Sequence, residues 1–293
     1  MPTPREIRRR IRGVKNMSQI TRAMEMVAAT KMRRAQDRVT AGRPYSERLR
    51  DVLADLASAQ LDADQMAEFP LLEQRETSRT AVIFMTPDRG LSGALNSNLF
   101  RAGAQYLREN KALEPKVIAV GKRGRDFMVR TRQDIASEFI QLGDRPTMAD
   151  TRPIAEAAID LFLSGEVDAV HLIYPKFVNT LVQKPEMVQV LPIERPEVDE
   201  NRVSASEDYI FEPSAGHVLN DILPRYVEIL IYQAQLETVA SFYSAQMVAM
   251  RNATDNAKEL VDDLGLSLNK ARQAQITNEV AEISAGANAF RVE

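Results

Sequence analysis

Apolar side chains recur every three or four positions through roughly the first 55 residues of the chain. A narrow stripe comprises Ile7, Ile11, Val14, Met17, Ile20, Met24, Val27, Met32, Ala35 and Val39. Such a stripe is typical of one helix of a coiled coil rather than of a helix lying on a globular core. Gly42 and Pro44 interrupt the pattern and predict a kink. A helix of roughly 55 residues would be about 80 Å long, which is more than a compact domain of this size needs.

The pattern changes between residues 77 and 213, where short apolar runs alternate with amphipathic segments. We predict strands near 81–85, 116–120, 135–140 and 167–174, with helices near 94–109, 121–132 and 148–164. Alternation of strands and helices at this spacing predicts a parallel α/β sheet. Residues 177–191 alternate between apolar and polar, which predicts an antiparallel edge hairpin with the preceding strand. The Pro- and acid-rich stretch 192–206 is predicted to be a loop.

From about residue 216 to 290 the pattern is helical again. The predicted fold class is therefore α/β plus coiled coil: an antiparallel coiled coil of long N- and C-terminal helices with an inserted Rossmann-like α/β domain. The predicted domains are 1–60 and 214–293, which form the coiled coil, and 77–213, which forms the α/β domain. The C-terminal helix is longer by about 15 residues, so roughly 20 Å of it is expected to lack a partner within the chain. An unpartnered helix is marginal in water and needs another partner.

Composition removes several classes of function. The chain has 293 residues, no Cys and only two His, His171 and His217. These numbers exclude a disulfide framework, a thiolate metal site and a cysteine nucleophile, and they leave little for a histidine zinc site or a Ser-His-Asp triad. No apolar run reaches the roughly 18 residues that would predict a membrane span. His171 lies in an apolar strand and is expected to be a structural residue.

The net charge of −3 conceals a strong asymmetry. Residues 1–50 hold 14 Lys and Arg against 4 Asp and Glu, a balance of +10, and the remainder of the chain has a balance of −13. A transit peptide does not fit, because the apolar stripe continues through the basic segment. A nucleic-acid arm lacks aromatic residues before Tyr45 that could stack on bases. We therefore expect a basic helix that faces an acidic protein partner, with Lys31 and Arg34 among its cations.

The turn that follows the first predicted strand is the main candidate for phosphate chemistry. It contains Asp88, Arg89 and Gly90 and precedes a helix, a position that suits anions. However, the chain contains neither of the two glycine-rich signatures of nucleotide-binding loops, and the basic segment Gly121–Arg125 lacks a Ser or Thr for magnesium. We predict no cofactor and no metal, and interpret the turn of Asp88, Arg89 and Gly90 as a docking element of the central domain.

Several segments resemble a known family, the gamma subunit of F-type ATP synthases. Its N-terminal signature resembles Arg5–Ile7 and Gln19–Ala29, and its C-terminal signature resembles residues 247–257 and 269–277. The central segments 88–91 and 121–125 also match. The resemblance covers essentially the whole chain. Three positions depart from the family pattern: the stretch Phe242–Gln246, where an Arg is usual, Leu268 in place of a Tyr, and Ser92 in place of a Cys.

The resemblance implies a central rotor shaft that transmits torque between a membrane c-ring and a hexamer of alpha and beta subunits, with an epsilon subunit as a further partner. It implies no catalytic residue in this chain and a peripheral position on the cytoplasmic face of a bacterial plasma membrane, driven by protons. It implies no nucleic-acid partner and no direct membrane insertion. The torque and catch contacts implied by the resemblance are Met24, Arg272, Gln273 and Thr277. Lys31 and Arg34 complete the predicted set of partner contacts, on the basis of the charge of the basic helix.

Two other classes of function remain open from the residues alone. One is a coiled-coil adaptor or nucleic-acid-associated protein with an inserted Rossmann-like domain, which steeply salt-dependent DNA binding would favour. The other is a small phosphate-handling α/β enzyme with helical extensions, which would need specific ligand binding near residues 88–93. The absence of Cys additionally excludes thiol control of the kind that chloroplast relatives use.

Overall fold

The computed structural model describes residues 3–58, 69–194 and 215–289. Its helices are α1 (Pro4–Ser58), α2 (Leu95–Glu109), α3 (Lys122–Arg130), α4 (Met148–Leu163) and α5 (Ala215–Ala289). Its strands are β1 (Thr80–Met85), β2 (Lys116–Val120), β3 (Ile135–Phe139), β4 (Ala169–Phe177) and β5 (Gln183–Leu191). The predicted domain boundaries at 60 and 213–214, and most of the predicted loop 192–206, lie outside the described residues.

By contact, the chain forms two compact units. Residues up to 28 and from 247 onward form one unit, and residues 29–246 form the other. The predicted division into three domains stays a prediction.

The five strands form one sheet in the order β3-β2-β1-β4-β5. β1 pairs in parallel with β2 and with β4, and β2 pairs in parallel with β3. β5 is antiparallel to β4 and occupies one edge, which confirms the predicted hairpin. The observed strands and helices begin and end within a few residues of their predicted positions. The predicted fold class is confirmed.

Helices cover both faces of this sheet because the side chains of its central strand alternate between two cores. Ile83 and Met85 of β1 belong to a core that includes Ile154 and Phe162 of α4. The same core includes the first turns of α5, through Leu219, Leu223, Val227, Ile231 and Ala234. The opposite face carries Phe84, which approaches both Phe100 of α2 and Phe127 of α3. The C-terminal helix therefore begins as part of the α/β core.

Two glycines in the basic segment let α3 begin against the turn after β1. Gly121 has φ +86°, and a Cβ there would lie 1.8 Å from the carbonyl oxygen of Thr86. A Cβ on Gly124 would lie 2.6 Å from the Thr86 hydroxyl oxygen. That hydroxyl accepts a hydrogen bond from the Gly124 N–H at 2.7 Å and donates to the Val120 carbonyl at 3.1 Å. Close backbone approach, and not phosphate binding, explains glycine at these two positions.

In the unit formed by the two chain ends, α1 and α5 pair antiparallel. The hydroxyls of Thr21 and Thr254 lie 2.7 Å apart in a buried hydrogen bond. Glu25 and Arg251 form an ion pair at 2.8 Å. The numbering rises along one helix as it falls along the other, which is the antiparallel arrangement that the sequence predicted.

The seam of this coiled coil differs from the predicted stripe. Within this unit, α1 has its buried positions at Ile7, Thr21 and Ala28, which are separated by multiples of seven residues. On α5 a row of buried and half-buried positions follows alternating steps of three and four: Met247, Met250, Thr254, Ala257, Val261, Leu264, Leu268 and Ala271. Both spacings are those of a heptad seam. The prediction was wrong for Met17, Ile20 and Val27, which are exposed and lie beside the seam, because the smaller Thr21 and Ala28 are the residues that let the helices approach.

In the second unit, α1 and α5 also contact each other. Ala35 and Val39 of α1 form a small core with Leu236 and Ala240 of α5 and with Phe177 of β4. α1 remains helical through Gly42 and Pro44. The predicted kink at these residues stays a prediction.

Candidate functional site

One face of α1, within the unit of the chain ends, is apolar and uncovered. Met17, Ile20 and Val27 are between 55% and 56% exposed, and Met24 is half-buried among them. These four residues follow steps of three, four and three and therefore share one helix face. We call them the bare face of α1. An exposed apolar face of this kind marks a surface that a partner covers.

A C-terminal stretch of α5, residues 272–285 in the same unit, is exposed throughout. It includes the apolar residues Ile276, Val280 and Ile283. The predicted contact residues Arg272, Gln273 and Thr277 lie in this C-terminal segment. The Thr277 hydroxyl donates to the Gln273 carbonyl at 3.0 Å, a bond within the helix.

A charged cluster in the second unit joins α1, α5 and the loop after β3. The Lys31 ammonium donates to the Asp144 carboxylate at 2.6 Å and to the Tyr243 hydroxyl at 3.3 Å. Arg89 approaches the same carboxylate at 3.6 Å. We call these four residues the Lys31 cluster. Lys31, which the sequence assigned to a partner contact, is therefore engaged within the chain.

The charges of the Lys31 cluster alter two pKa values. Burial alone would raise the pKa of Asp144, but its interactions with Lys31, Tyr243 and Arg89 outweigh this effect and place the pKa below its ordinary value. Burial, and then the Asp144 carboxylate, raise the pKa of the Tyr243 hydroxyl. Asp144 is thus an ionised anchor for α1 at neutral pH, and Tyr243 is its neutral neighbour.

Arg34 lies one helical turn from Lys31, in a second position predicted to contact a partner. It is exposed and lines a small cleft of about 180 Å³ together with Lys31, Arg38 and Arg145. Among the described residues, Asp144 is the only carboxylate that lines this cleft, so its described lining carries a positive balance. Such a surface suits an acidic protein segment.

The turn after β1 is built around the carboxylate of Asp88. Its Oδ1 accepts hydrogen bonds from the backbone N–H of Lys122 at 2.8 Å and of Gln141 at 3.2 Å. This carboxylate therefore occupies the N-terminus of α3, where a phosphate would otherwise be favoured. Arg89 is the exposed member of the predicted docking turn, with 65% of its side chain accessible. Gly90 lies against the guanidinium of Arg123.

Sequence reasoning missed the polar residues that hold the β4–β5 hairpin to α5. The buried Glu237 carboxylate accepts from the Phe177 N–H at 3.1 Å. Ser241 donates to the Pro175 carbonyl at 2.8 Å, and Ser244 donates to the Thr180 carbonyl at 2.7 Å. The steps of four and three between these residues were the available signal, because they place all three on one helix face.

Within residues 3–58, 69–194 and 215–289, no group of three or more His, Asp or Glu is arranged to hold a metal ion. Within the same ranges, no helix has the length and apolar character needed to cross a membrane.

Comparison with known proteins gives consistent results over the full chain. A family model described as ATP synthase matches residues 3–290. The chain is 53% identical to an ATP synthase gamma chain of Roseiflexus castenholzii, with 99% of each chain covered. It is 51% identical to an ATP synthase gamma chain of Chloroflexus aurantiacus, again with 99% of each chain covered.

Solved structures with the same fold are more distant in sequence. A chain of the Euglena gracilis mitochondrial ATP synthase, in a structure of OSCP, F1 and c-ring, is 21% identical with a TM-score of 0.70. The alignment covers 98% of this chain and 94% of that chain. A chain of the Tetrahymena thermophila mitochondrial ATP synthase central stalk and c-ring is 22% identical with a TM-score of 0.60, covering 80% and 99%. At this identity the likeness concerns the fold.

Proposed function

The chain belongs to the ATP synthase gamma-chain family, and we propose that it is the non-catalytic central shaft of a bacterial F-type ATP synthase. In this role it transmits torque between a membrane c-ring and a hexamer of alpha and beta subunits. The observation that carries the proposal is the pair of antiparallel helices whose seam is closed while their outer apolar faces remain uncovered. Neither the adaptor hypothesis nor the phosphate-handling enzyme has comparable support.

The mechanism follows from symmetry and differential contact. A ligand or partner can shift a conformational equilibrium only if it contacts the two states differently. The shaft is a single chain with different side chains on each face, whereas its sleeve of three alpha and three beta subunits has threefold repetition. Each catalytic site therefore meets a different face of the shaft. Rotation exchanges these faces and so exchanges the roles of the three sites.

We assign the contacts with the sleeve to the bare face of α1 and to the C-terminal segment. Met24 lies at the centre of the bare face, and Arg272, Gln273 and Thr277 lie at the start of the exposed part of α5. Arg34 faces solvent and is available for an acidic partner, whereas Lys31 acts by holding α1 to Asp144. The apolar contacts between the shaft and the sleeve are shallow, so they do not prevent the shaft from rotating.

The α/β domain supplies the contacts with the epsilon subunit and the c-ring. Within the predicted docking turn, the exposed Arg89 is the contact residue, because Asp88 is occupied in capping α3 and Gly90 is covered by Arg123. The chain is thus peripheral to a membrane complex, and we place it on the cytoplasmic face of the plasma membrane. Protons are the proposed coupling ion.

Reconstitution with the alpha and beta subunits of the same organism tests this function. The purified chain is expected to hydrolyse no ATP, and its addition to the other subunits is expected to yield an active complex. Metal-dependent ATP hydrolysis by the purified chain alone would overturn the proposal.

Met24→Lys tests the contact with the sleeve. It places a charge on the bare face and is expected to lower proton-driven ATP synthesis while assembly persists. The matched control is Val129→Lys, since Val129 is 56% exposed on α3 of the α/β domain. If proton-driven ATP synthesis is unchanged in Met24→Lys, Met24 does not contact the sleeve.

A further inference from the structure

The turn between β4 and β5 presents apolar side chains to solvent. Val178, Leu181 and Val182 are 52%, 76% and 37% exposed. We call residues 178–182 the hairpin tip. Within the described ranges, no other large apolar side chain is as exposed as that of Leu181. Neighbouring apolar side chains that lie in solvent together indicate a surface that a partner covers.

The hairpin tip has a fixed shape in the free chain. The side-chain oxygen of Asn179, Oδ1, accepts hydrogen bonds from the N–H groups of Leu181 and Val182, both at 2.9 Å. The Gln183 side chain donates to the carbonyls of Asn179 and Thr180, both at 3.1 Å. A surface that is ordered before it binds loses less entropy on binding. Leu181 is therefore presented on a turn that is already in place for a partner.

Two buried hydroxyls of α5 hold the hairpin against this helix. Ser244 donates to the Thr180 carbonyl at 2.7 Å, and Ser241 donates to the Pro175 carbonyl at 2.8 Å. Both serines are 0% exposed. Buried and satisfied polar bonds of this kind restrict the movement of the parts that they join. The hairpin tip is thus fixed to α5 at Ser244.

The point of attachment indicates which partner covers the tip. Ser244 lies about one helical turn before Met247, where the α5 side of the paired ends begins. The proposed function assigns the paired ends to the sleeve of alpha and beta subunits. The tip is therefore attached to the part of α5 that leads into the segment assigned to the sleeve. Residues 177–183 carry no charge, so an apolar recess complements them better than a charged surface does.

From these observations we propose that the hairpin tip contacts the sleeve, with Leu181 seated in an apolar recess of an alpha or beta subunit. The inference rests on the proposed function and adds to it a contact that the α/β domain makes. Because the chain has only one such tip, the tip meets the three catalytic sites one at a time as the shaft turns. The contact is non-catalytic.

Photochemical cross-linking identifies the partner. The chain has no cysteine, so Leu181→Cys can be labelled with benzophenone maleimide before assembly with alpha, beta, epsilon and the c-ring. Light should join the labelled chain to alpha or beta. It should also inhibit ATP hydrolysis in proportion to the product formed, because the shaft is then fixed to the sleeve. Cross-linking to epsilon or the c-ring alone, or no product at all, would overturn the proposal.

Two further variants separate this inference from the proposed function. Met24→Cys carries the label on the bare face of α1 and should also join the sleeve. Lys111→Cys carries it on the exposed surface of the α/β domain and should not. A sleeve product from Met24→Cys without one from Leu181→Cys, or equal products from Leu181→Cys and Lys111→Cys, overturns this inference alone. If neither Met24→Cys nor Leu181→Cys joins alpha or beta, the proposed function fails with it.

Leu181→Ser tests how much the apolar side chain contributes. It should weaken binding of the full chain to the hexamer of alpha and beta subunits about tenfold, as measured by titration calorimetry. Leu181→Met keeps an apolar side chain of similar volume and should restore most of the affinity. The matched control is Val129→Ser, at a valine of α3 that is 56% exposed, and it should bind normally. The thermal midpoint of the free chain should not change, because Leu181 lies in solvent there.

Ser244→Ala tests the attachment of the tip to α5. Ser244 is a positioning residue that acts through Leu181, so its loss should weaken binding about threefold in the parent chain and cause no further loss in Leu181→Ser. Ser244→Thr keeps the hydroxyl and should recover the affinity. If Leu181→Ser binds the hexamer as tightly as the parent chain, the tip does not contact the sleeve and the proposal fails.

Discussion

The α/β domain and the paired chain ends are stabilised in different ways. The domain buries large side chains on both faces of its sheet, among them Phe84, Phe162 and Ile118, and its loops approach closely at Gly121. The paired ends close over a single narrow seam whose small, buried members include Thr21, Thr254 and Ala28. Larger apolar residues of the same helix, Met17 and Ile20, remain in solvent.

This difference means that the residues that stabilise the fold and the residues that contact the partner subunits lie in different regions. The domain contains within itself the contacts that stabilise it. The paired ends use small residues to hold two helices together and leave their larger apolar side chains for a sleeve. We therefore expect substitutions in the domain to change stability, and substitutions on the outer faces of the paired ends to change coupling.

The largest stability effect is expected at Gly121. Gly121→Ala combines a left-handed φ with a Cβ 1.8 Å from the Thr86 carbonyl oxygen, so the backbone must move. We expect a loss of about 3 kcal/mol or more in the free energy of unfolding of the domain. Denaturant titration measures it. Gly143→Ala is the matched control, because Gly143 has φ +78° but nothing within 4 Å, and it should cost only about 1–2 kcal/mol. If the two variants lose the same unfolding free energy, the contact between the new Cβ and the Thr86 carbonyl oxygen costs nothing and the prediction is wrong.

A smaller effect in the same domain is expected at Asp88. Asp88→Ala leaves the N–H groups of Lys122 and Gln141 without their acceptor, at a cost of about 1–2 kcal/mol in unfolding free energy. Asp88→Asn keeps an oxygen at this position and should recover much of the loss. If the alanine variant is as stable as the parent chain but fails to join the complex, Asp88 is a docking residue rather than a helix cap.

In the paired ends, the buried Thr21–Thr254 bond tests the seam. Thr21→Val or Thr254→Val alone should destabilise the pair by about 1 kcal/mol, because the bond across the seam is lost while the remaining hydroxyl keeps only the carbonyl partner in its own helix. The double valine variant should lose no more than either single variant, because the bond across the seam can be lost only once. Hydrogen exchange of the α1 amides reports the effect. Additive losses in the double variant would contradict a direct bond.

The smallest effect is expected from the Lys31 cluster. The pKa of Asp144 is lower in the folded chain, so its ionisation stabilises the fold above the ordinary aspartate pKa, and this stabilisation is lost as pH falls through the folded value. Asp144→Asn should therefore lower the thermal midpoint at neutral pH and converge with the parent chain in acid. Added salt should narrow the neutral-pH difference, because the cluster is partly exposed. A difference that persists in acid would point to packing instead of charge.

The sequence predicted the elements of the fold well and the seam poorly. Strands such as β1 and β2 are short apolar runs between clear turn residues, so their positions follow from periodicity. On α1, Met17 and Ile20 have the same spacing as the true seam, and periodicity alone cannot choose between neighbouring faces. Thr21 and Ala28 were not recognised because helix approach favours small residues, which carry little hydrophobic signal.

Polar contacts between residues far apart in the sequence could not be predicted. Asp88 caps a helix that begins 34 positions later, and Glu237 binds a strand end 60 positions away. Neither pairing has a local pattern, because each depends on how the sheet places its loops. The resemblance to a family supplied Arg272, Gln273 and Thr277, and the structure adds that they lie on an uncovered helix segment. Their contacts with the sleeve stay a prediction.

The central claim, that the chain is a rotating shaft, is tested most directly by watching it turn. The chain has no cysteine, so Lys111→Cys on the exposed surface of the α/β domain gives one unique attachment point for a bead or gold particle. The labelled chain is assembled with alpha and beta subunits that are fixed to a surface, and ATP is added. The account predicts stepwise rotation of the particle in one direction. ATP hydrolysis by the assembled complex while the particle stays still, or moves without direction, would contradict it.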